Sequence, residues 1–537
     1  MTHPFHIIPK PVSLTRGEGV FLLNSKTTIL AGEGCTRAAA LAADMVGLPI
    51  SFEADGIQVQ NPLKLSIDAD ATPAEGYKLE ISPNQISIVA ADELGLSYGL
   101  YTLCQLVAPE VIVMRKHIAD MQDFVTEIPA VTIEDYPKFE WRAMHLDVCR
   151  HFFPVEFIKK FIDLLAFHKM NIFHWHLTED QGWRIAIDKY PKLAEVSAWR
   201  SETPLPENRH EMDGVPYGGI YSKEDIREVV AYAESRMITV MPEIELPGHT
   251  IAVLAAYPEL GCTGKDYKVR TEWGIEDDVF CAGNDAVFTF LEDVFDEVLE
   301  LFPSEYIHIG GDECPKIRWE HCDKCQARMK AEGLKNEEEL QSWFISKVGH
   351  YLHSKGRKMI GWDEILEGGL PPGAAVMSWR GTEGGIEAAS MGSRVVMSPN
   401  THCYFDYYQT EDYENEPPAF YWPIPEEHQV PSGPTFHGLV TLERCYSFNP
   451  HEGVPANFHN FVMGGQSNTW SEYIPTTDQV EYQQYPRGCA LAETLWSPMP
   501  KDGRDFAEFI VRLNTHLKRL DEMGVNYRHP KEQLGER

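Results

Sequence analysis

Basic residues are scarce in this 537-residue sequence: 47 Lys and Arg stand against 81 Asp and Glu, a formal net charge of −34. That balance disfavours nucleic acid and anionic membrane as partners and suits a neutral or cationic substrate. No uninterrupted apolar run is long enough to span a bilayer. The start, Met1-Thr-His-Pro-Phe-His-Ile-Ile-Pro9, lacks a basic stretch followed by an apolar one, so it does not read as a signal peptide. Either the protein stays inside the cell or an export signal is absent from this chain. No Gly-x-Gly-x-x-Gly sits at a strand–helix turn, which argues against an open dinucleotide-binding sheet. Cysteines number eleven, an odd count scattered through a long chain, so this is not a small disulfide scaffold. Cys314, Cys322 and Cys325 form the one tight group. A zinc site needs four N or S ligands, and His321 lacks the usual spacing for a fourth, so these read as ordinary thiols or a local disulfide and no metal is assigned. Cys262 and Cys281 flank a polar loop and could bridge.

A chain of this length is too long for one ordinary core, and its hydrophobic content of 43% fits a soluble globular protein. Residues 1–135 read as a small α+β domain. Tyr77, Leu79 and Ile81 alternate with polar residues, Pro83-Asn84 makes a turn, and Ile86 and Ile88 resume the alternation, which is a hairpin pattern. Leu96, Leu100, Leu103 and Leu106 then share one helical face. This domain carries no catalytic constellation and reads as scaffold.

From Trp141 strand-like apolar runs recur, separated by amphipathic stretches. They are Arg142–Val148, Met170–Leu177, Ile238–Leu246, Tyr306–Ile309, Lys358–Ile365, Ala374–Trp379, Arg394–Ser398 and Phe461–Gly465. Strand–helix alternation repeated eight times predicts a closed (β/α)8 TIM barrel over residues 136–500, with an open doubly wound sheet as the alternative. Residues 501–537 hold a final helix, capped by Asp505, carrying Phe506, Phe509, Ile510, Leu513, Leu517 and Leu520 on one face and ended by Gly524.

In such barrels the site lies at the C-terminal strand ends. The fourth run breaks at Gly310-Gly311 and is followed at once by Asp312-Glu313. Adjacent side chains on a continuing strand face opposite ways, so both acids can share a cavity only if the strand stops at the glycines. Paired carboxyls in one cavity can take different protonation states. Solvated loop acids would be the bland reading of a bare Asp-Glu; the buried strand before it and the other strand ends weigh against that. Those ends offer Arg150-His151, His174-Trp-His176 with Glu179-Asp180, Glu243-Ile-Glu245 with Gly248-His249, Trp362-Asp363-Glu364, Trp379-Arg380, Tyr404-Phe-Asp406 and Trp470-Ser-Glu472. Indole faces stack on the apolar faces of a sugar, and carboxylates accept its hydroxyl hydrogens. Between the seventh and eighth runs lies a long loop rich in Pro and aromatics, including Pro417-Pro418-Ala-Phe420-Tyr421-Trp422-Pro423, which suits a wall or lid.

Several of these motifs together resemble glycoside hydrolase family 20, the β-N-acetylhexosaminidases. They are His308-Ile-Gly-Gly-Asp-Glu313; Trp141-Arg142 with Leu146-Asp147 and Arg150-His-Phe-Phe153; Leu177-Thr-Glu-Asp180-Gln-Gly-Trp-Arg184; Pro242-Glu-Ile-Glu-Leu-Pro-Gly-His249; and Gly361-Trp-Asp-Glu364. One departure is Glu179, where the family more often has Asp. The resemblance implies an exo-acting enzyme that removes terminal β-linked GlcNAc or GalNAc from a glycan, without cofactor. Its nucleophile would be the substrate's own acetamide, an exception to two-carboxylate hydrolysis. Glu313 would protonate the leaving oxygen and then activate water. Asp312 would accept from the acetamide N–H and steady an oxazolinium intermediate, and Tyr404 would donate to the acetamide oxygen. Making that step intramolecular can supply roughly 7–11 kcal/mol of the barrier. Trp362, Trp379 and Trp470 would box the acetyl group; Arg142, Asp406 and Glu472 would hold sugar hydroxyls; His249, between Asp180 and Glu313, would orient the acid. Export is implied by the resemblance alone, and a homodimer stays open. The rival from another reaction class is a metal-dependent barrel hydrolase built on His174, His176, His249 and His308. A sugar-binding protein without activity and a glycosidase with a protein nucleophile are further rivals.

Overall fold

A computed structural model of the chain describes residues 5–53, 61–107, 125–423, 436–500 and 503–535. The N-terminal part is a seven-stranded sheet ordered Ser13–Asn24, Val125–Asp135, Tyr77–Ser82, Gln85–Ala90, Pro62–Ile67, Thr28–Ala31, Ile50–Phe52. The expected hairpin is its centre, with Leu79 opposite Ile88 and Ser82 opposite Gln85 across the Pro83-Asn84 turn. Helices Thr36–Val46 and Glu93–Leu106 lie against the sheet. The second starts where the Asp92 carboxylate accepts from the Gly95 N–H at 2.8 Å, and it buries Leu96, Leu100, Leu103 and Leu106.

The eight expected runs are the eight strands of a closed parallel barrel. In spatial order they are Thr239–Leu246, Tyr306–Gly310, Lys358–Trp362, Ala375–Ser378, Val395–Met397, Val462–Ser467, Trp141–Asp147 and Ile172–His176. Apolar residues on both faces let each strand pack inward on the barrel core and outward on helices such as Val155–Phe167, Asp285–Leu301 and Glu337–Ser354. The alternation has one gap. Between the fifth and sixth strands only a short turn, Asp363–Leu366, replaces a helix. The following Gly368-Gly-Leu-Pro371-Pro-Gly373 explains it, because Pro and Gly there deny a helix its N–H groups and its rigidity.

A buried polar knot joins the two parts. Asp135, at the end of the last sheet strand, accepts from Lys169 Nζ at 2.8 Å, Tyr77 Oη at 2.8 Å and Trp496 Nε1 at 3.0 Å. The final helix, Phe506–Glu522, is capped by Asp505 and packs Phe509, Leu513, Leu517 and Leu520 inward. Among the described residues no helix is long and apolar enough to cross a membrane.

Candidate active site

The fourth barrel strand ends at Gly310. Gly310 and Gly311 have φ of 64° and 93°, and a Cβ on Gly310 would meet the Glu245 carboxylate at 1.8 Å. The chain can therefore turn there only with glycine, and the turn carries both acids out of strand alternation. Glu313 itself sits at φ 43°, a costly conformation for a side-chain-bearing residue and one that clusters at functional sites. The Asp312 side chain is 12% exposed and that of Glu313 36%, so the first is nearly buried and the second is the one open to solvent.

Both acids converge on one imidazole. His249 Nε2 is 3.5 Å from Asp312 Oδ2 and 3.6 Å from Glu313 Oε2. On its other side Nδ1 is 2.7 Å from Glu179 Oε1 and 3.3 Å from Asp180 Oδ2. Burial alone would lower the pKa of His249, but the nearby Glu179, Asp312 and Asp180 carboxylates outweigh it and raise the pKa well above the ordinary value. Asp180 also anchors the loop, since its Oδ1 accepts from the Ile251 N–H at 3.0 Å at the start of helix Ile251–Ala256. Glu179 is the residue that sequence reasoning undervalued. It meets Arg150 at 3.2 Å and His176 at 3.3 Å as well as His249, and these cations hold its carboxyl well below the usual range against the cost of burial.

Three indoles stand at or just past the C-terminal ends of the fifth, sixth and eighth barrel strands. Trp362 Nε1 donates to Glu243 at 2.8 Å, and Trp379 Nε1 donates to Glu364 at 2.9 Å. Trp379 stacks near Tyr404, with ring centroids 6.0 Å apart and planes at 22°, while Trp362 lies 5.9 Å from Trp470. Burial, with the nearby Tyr407, Asp406 and Asp312, raises the pKa of Tyr404 well above the ordinary value and keeps its hydroxyl protonated. Burial, then the Glu472 carboxylate, raises the pKa of Asp406 well above the ordinary value, and its Oδ1 is buried without a partner. Glu245, deep beside Gly310, is raised likewise by burial and by Asp312 and Glu243.

Arg142 is a correction. It lies near the N-terminal end of the first barrel strand, about 16 Å along the chain from Asp147 at the catalytic end. It is fully buried and donates to Glu75 Oε2, Tyr98 Oη and the Phe139 carbonyl, each at 2.7 Å, and to the Lys169 carbonyl at 2.9 Å. It clamps the N-terminal sheet to the barrel floor and does not reach the site. The arginine that does is Arg150, three residues past that strand. It lies 3.2 Å from Asp147, 3.7 Å from Glu472, and its guanidinium stands 5.1 Å above the Trp470 ring. Its signal was present in the sequence, as the first residue after the opening strand able to reach the catalytic face.

The barrel histidines also find a role that the sequence left open. His174 Nε2, His176 Nδ1 and His308 Nδ1 all point to Glu243, at 3.0, 2.6 and 2.8 Å, below the Trp362 indole. All four side chains are fully buried. Together they form a polar plug of the barrel core. Cys314 lies apart from Cys322 and Cys325, against Gly248. Cys262 and Cys281 are not bridged; each faces a sulfur of the helix Asp323–Glu332 or its cap.

A closed parallel barrel with its acids, indoles and charged imidazole gathered at the strand C-termini has the layout of a barrel enzyme. The model of the glycosyl hydrolase family 20 catalytic domain matches residues 139–499, and that of the family's domain 2 matches residues 5–136. The chain belongs to glycosyl hydrolase family 20. It is 45% identical over 534 residues to a beta-hexosaminidase of Porphyromonas gingivalis, covering 98% of this chain and 64% of that protein, so it spans under two thirds of that relative's length. Among solved structures it matches an exo beta-N-acetylglucosaminidase of Vibrio harveyi in complex with N-acetylglucosamine, with TM-score 0.84, 30% identity, and 99% and 79% of the two chains covered. It also matches a beta-N-acetylhexosaminidase of Bacteroides fragilis, with TM-score 0.81, 30% identity and 99% of both chains covered.

Proposed function

We propose that this protein is an exo-acting β-N-acetylhexosaminidase that removes terminal β-linked GlcNAc or GalNAc by substrate-assisted, retaining hydrolysis. The observation that carries the reading is the convergence of Asp312 and Glu313 on one charged imidazole, beside a wall of three indoles and Tyr404. Glu313 would serve the leaving oxygen on one face of the anomeric carbon and Asp312 the acetamide that attacks from the other, so neither carboxyl need be the nucleophile.

In the first step the acetamide carbonyl oxygen attacks the anomeric carbon. The glycosidic bond breaks and its oxygen takes the proton of Glu313. Asp312 accepts from the acetamide N–H and balances the positive oxazolinium ring, while Tyr404 donates to the acetamide oxygen and aims it. In the second step Glu313 removes a proton from water, the water oxygen attacks the same carbon, and the acetamide re-forms. Two inversions give net retention. Trp362, Trp379 and Trp470 exclude solvent around the acetyl group. Asp406, Glu472 and Arg150 hold ring hydroxyls, and the burial of Asp406 and Arg150 supports exo action.

Rates on a panel of nitrophenyl glycosides test this. The 2-acetamido sugars should be cleaved and the plain glucoside left essentially untouched, and a thiazoline mimic of the cyclised acetamide should inhibit strongly. Comparable cleavage of the glucoside, or a trapped covalent glycosyl-enzyme, would overturn the reading.

A further inference from the structure

In the loops after the third and fourth barrel strands, four cysteines meet that no step of the hydrolysis uses. Cys262 and Cys281 belong to the long loop after the third barrel strand. Cys322 and Cys325 belong to the segment after the fourth strand, at the start of helix Asp323–Glu332. The sequence separations are large, 63 residues for Cys262 to Cys325 and 41 for Cys281 to Cys322. Yet Cys262 Sγ is 3.8 Å from Cys325 Sγ, Cys281 Sγ is 3.7 Å from both Cys322 and Cys325, and all four sulfurs lie within 4.8 Å of one another. Cys281, Cys322 and Cys325 are buried, and Cys262 is half-buried.

That spacing is informative. Four thiolates about 2.3 Å from a tetrahedral zinc stand about 3.8 Å apart, the separation seen here. A disulfide would need two sulfurs at about 2.05 Å, and no pair is singled out, since Cys281 and Cys325 each have two near neighbours. Cys322-x-x-Cys325 supplies the close pair common in zinc sites. Outer contacts fit as well. Gly283 packs directly on the Lys324–Cys325 backbone, so close that a Cβ would meet it at 2.2 Å, and this brings the two cysteine-bearing segments together.

We propose that Cys262, Cys281, Cys322 and Cys325 bind one structural zinc ion that staples the loop after the third barrel strand to the segment following Asp312-Glu313. All four ligand positions are protein sulfur, so the site is closed and serves folding, without a place for reacting water. The reason for it lies in the loops. The segment from Cys314 to Cys322 holds only the single-turn helix Ile317–Glu320, tied to the neighbouring loop by Trp319 Nε1 to the Phe280 carbonyl at 2.9 Å and by Arg318 to Asp278 at 2.8 Å. A metal cross-link there would hold the residues next to the catalytic pair without burying more apolar surface. The proposal does not rest on the glycosidase reading, because metal content is measured without substrate.

Elemental analysis of the full chain, purified without added metal, should find one zinc per chain. Blocking thiols with a mercurial should release that zinc together with titration of the cluster, and removal should lower the thermal midpoint by several degrees. Cys322→Ser and Cys262→Ser should lose the zinc, while Cys104→Ser, outside the cluster, should keep it. Cobalt substitution should give the intense visible bands of tetrahedral thiolate coordination, a readout that needs no variant to fold. Absence of stoichiometric zinc, iron in its place, or disulfides among these four cysteines in the native protein would overturn the proposal.

Discussion

His249 Nδ1 lies 2.7 Å from Glu179 Oε1, closer than to Asp180 at 3.3 Å. The nearer carboxylate does most to keep the imidazole charged, and the charged ring is what can donate toward Asp312 and Glu313. A group whose folded pKa is raised keeps its proton below that pKa and loses it as pH rises through it. Glu179→Gln removes the largest charge raising His249 and should move the alkaline limb of kcat/KM to lower pH, with Glu179→Asp restoring most of the range. An unchanged pH profile would assign the control of His249 elsewhere.

The two acids should separate by leaving group. Glu313→Gln should cost roughly 100- to 10,000-fold on substrates whose aglycone needs a proton, and much less on those with an aryl group that departs unaided. Asp312→Asn acts on the intermediate and should depress both classes together. Equal and small losses in the two variants would mean that the pair is misassigned.

Arg150 and Arg142 should part company in the same way. Arg150→Ala removes charge-assisted bonds near the sugar end and also leaves the buried Asp147 and Glu179 carboxylates without their arginine, so it should lower kcat/KM by about 10- to 100-fold and lower the thermal midpoint as well. Arg142→Ala strands Glu75 and several buried carbonyls at the domain junction and should cost on the order of 3 kcal/mol of stability while leaving KM nearly unchanged. A large fall in kcat/KM for folded Arg142→Ala, with none for Arg150→Ala, would return Arg142 to the site.

Acid should loosen the final helix before it damages the site. His168 and His516 face each other, Nε2 to Nε2 at 2.9 Å, between the barrel and that helix. Burial pushes His168 down to about 4, and His516 is lowered well below the ordinary value by burial and by His168. Their neutral pairing stabilises the fold above pH ~6.5, and this is lost as pH falls through about 4, a change of about 3 kcal/mol for His168. His516→Gln, with one histidine fewer to charge, should lose less thermal stability between pH 6.5 and 4 than the parent. Parallel curves for the two proteins would remove this pair from the account.

The eight barrel strands, the hairpin of the first domain and the capped final helix were all legible in the sequence, because each is a local pattern. Apolar runs, period-two alternation and a helical stripe are written in neighbouring residues, and Gly310-Gly311 announced the end of the fourth strand for the same reason. The acids and indoles were legible as a set once the barrel rule placed them at strand ends. What the sequence could not decide was direction and distance. Arg142 and Arg150 are eight positions apart, and only the barrel shows that one end of a strand faces the first domain and the other the cavity. Glu179 outranks Asp180 as the neighbour of His249 because of a side-chain path across two strand ends, which no spacing encodes. The cysteines make the same point. Cys322 and Cys325 were visible as a pair, but their partners Cys262 and Cys281 arrive from another loop, and contact between residues that far apart along the chain exists only after the barrel has closed.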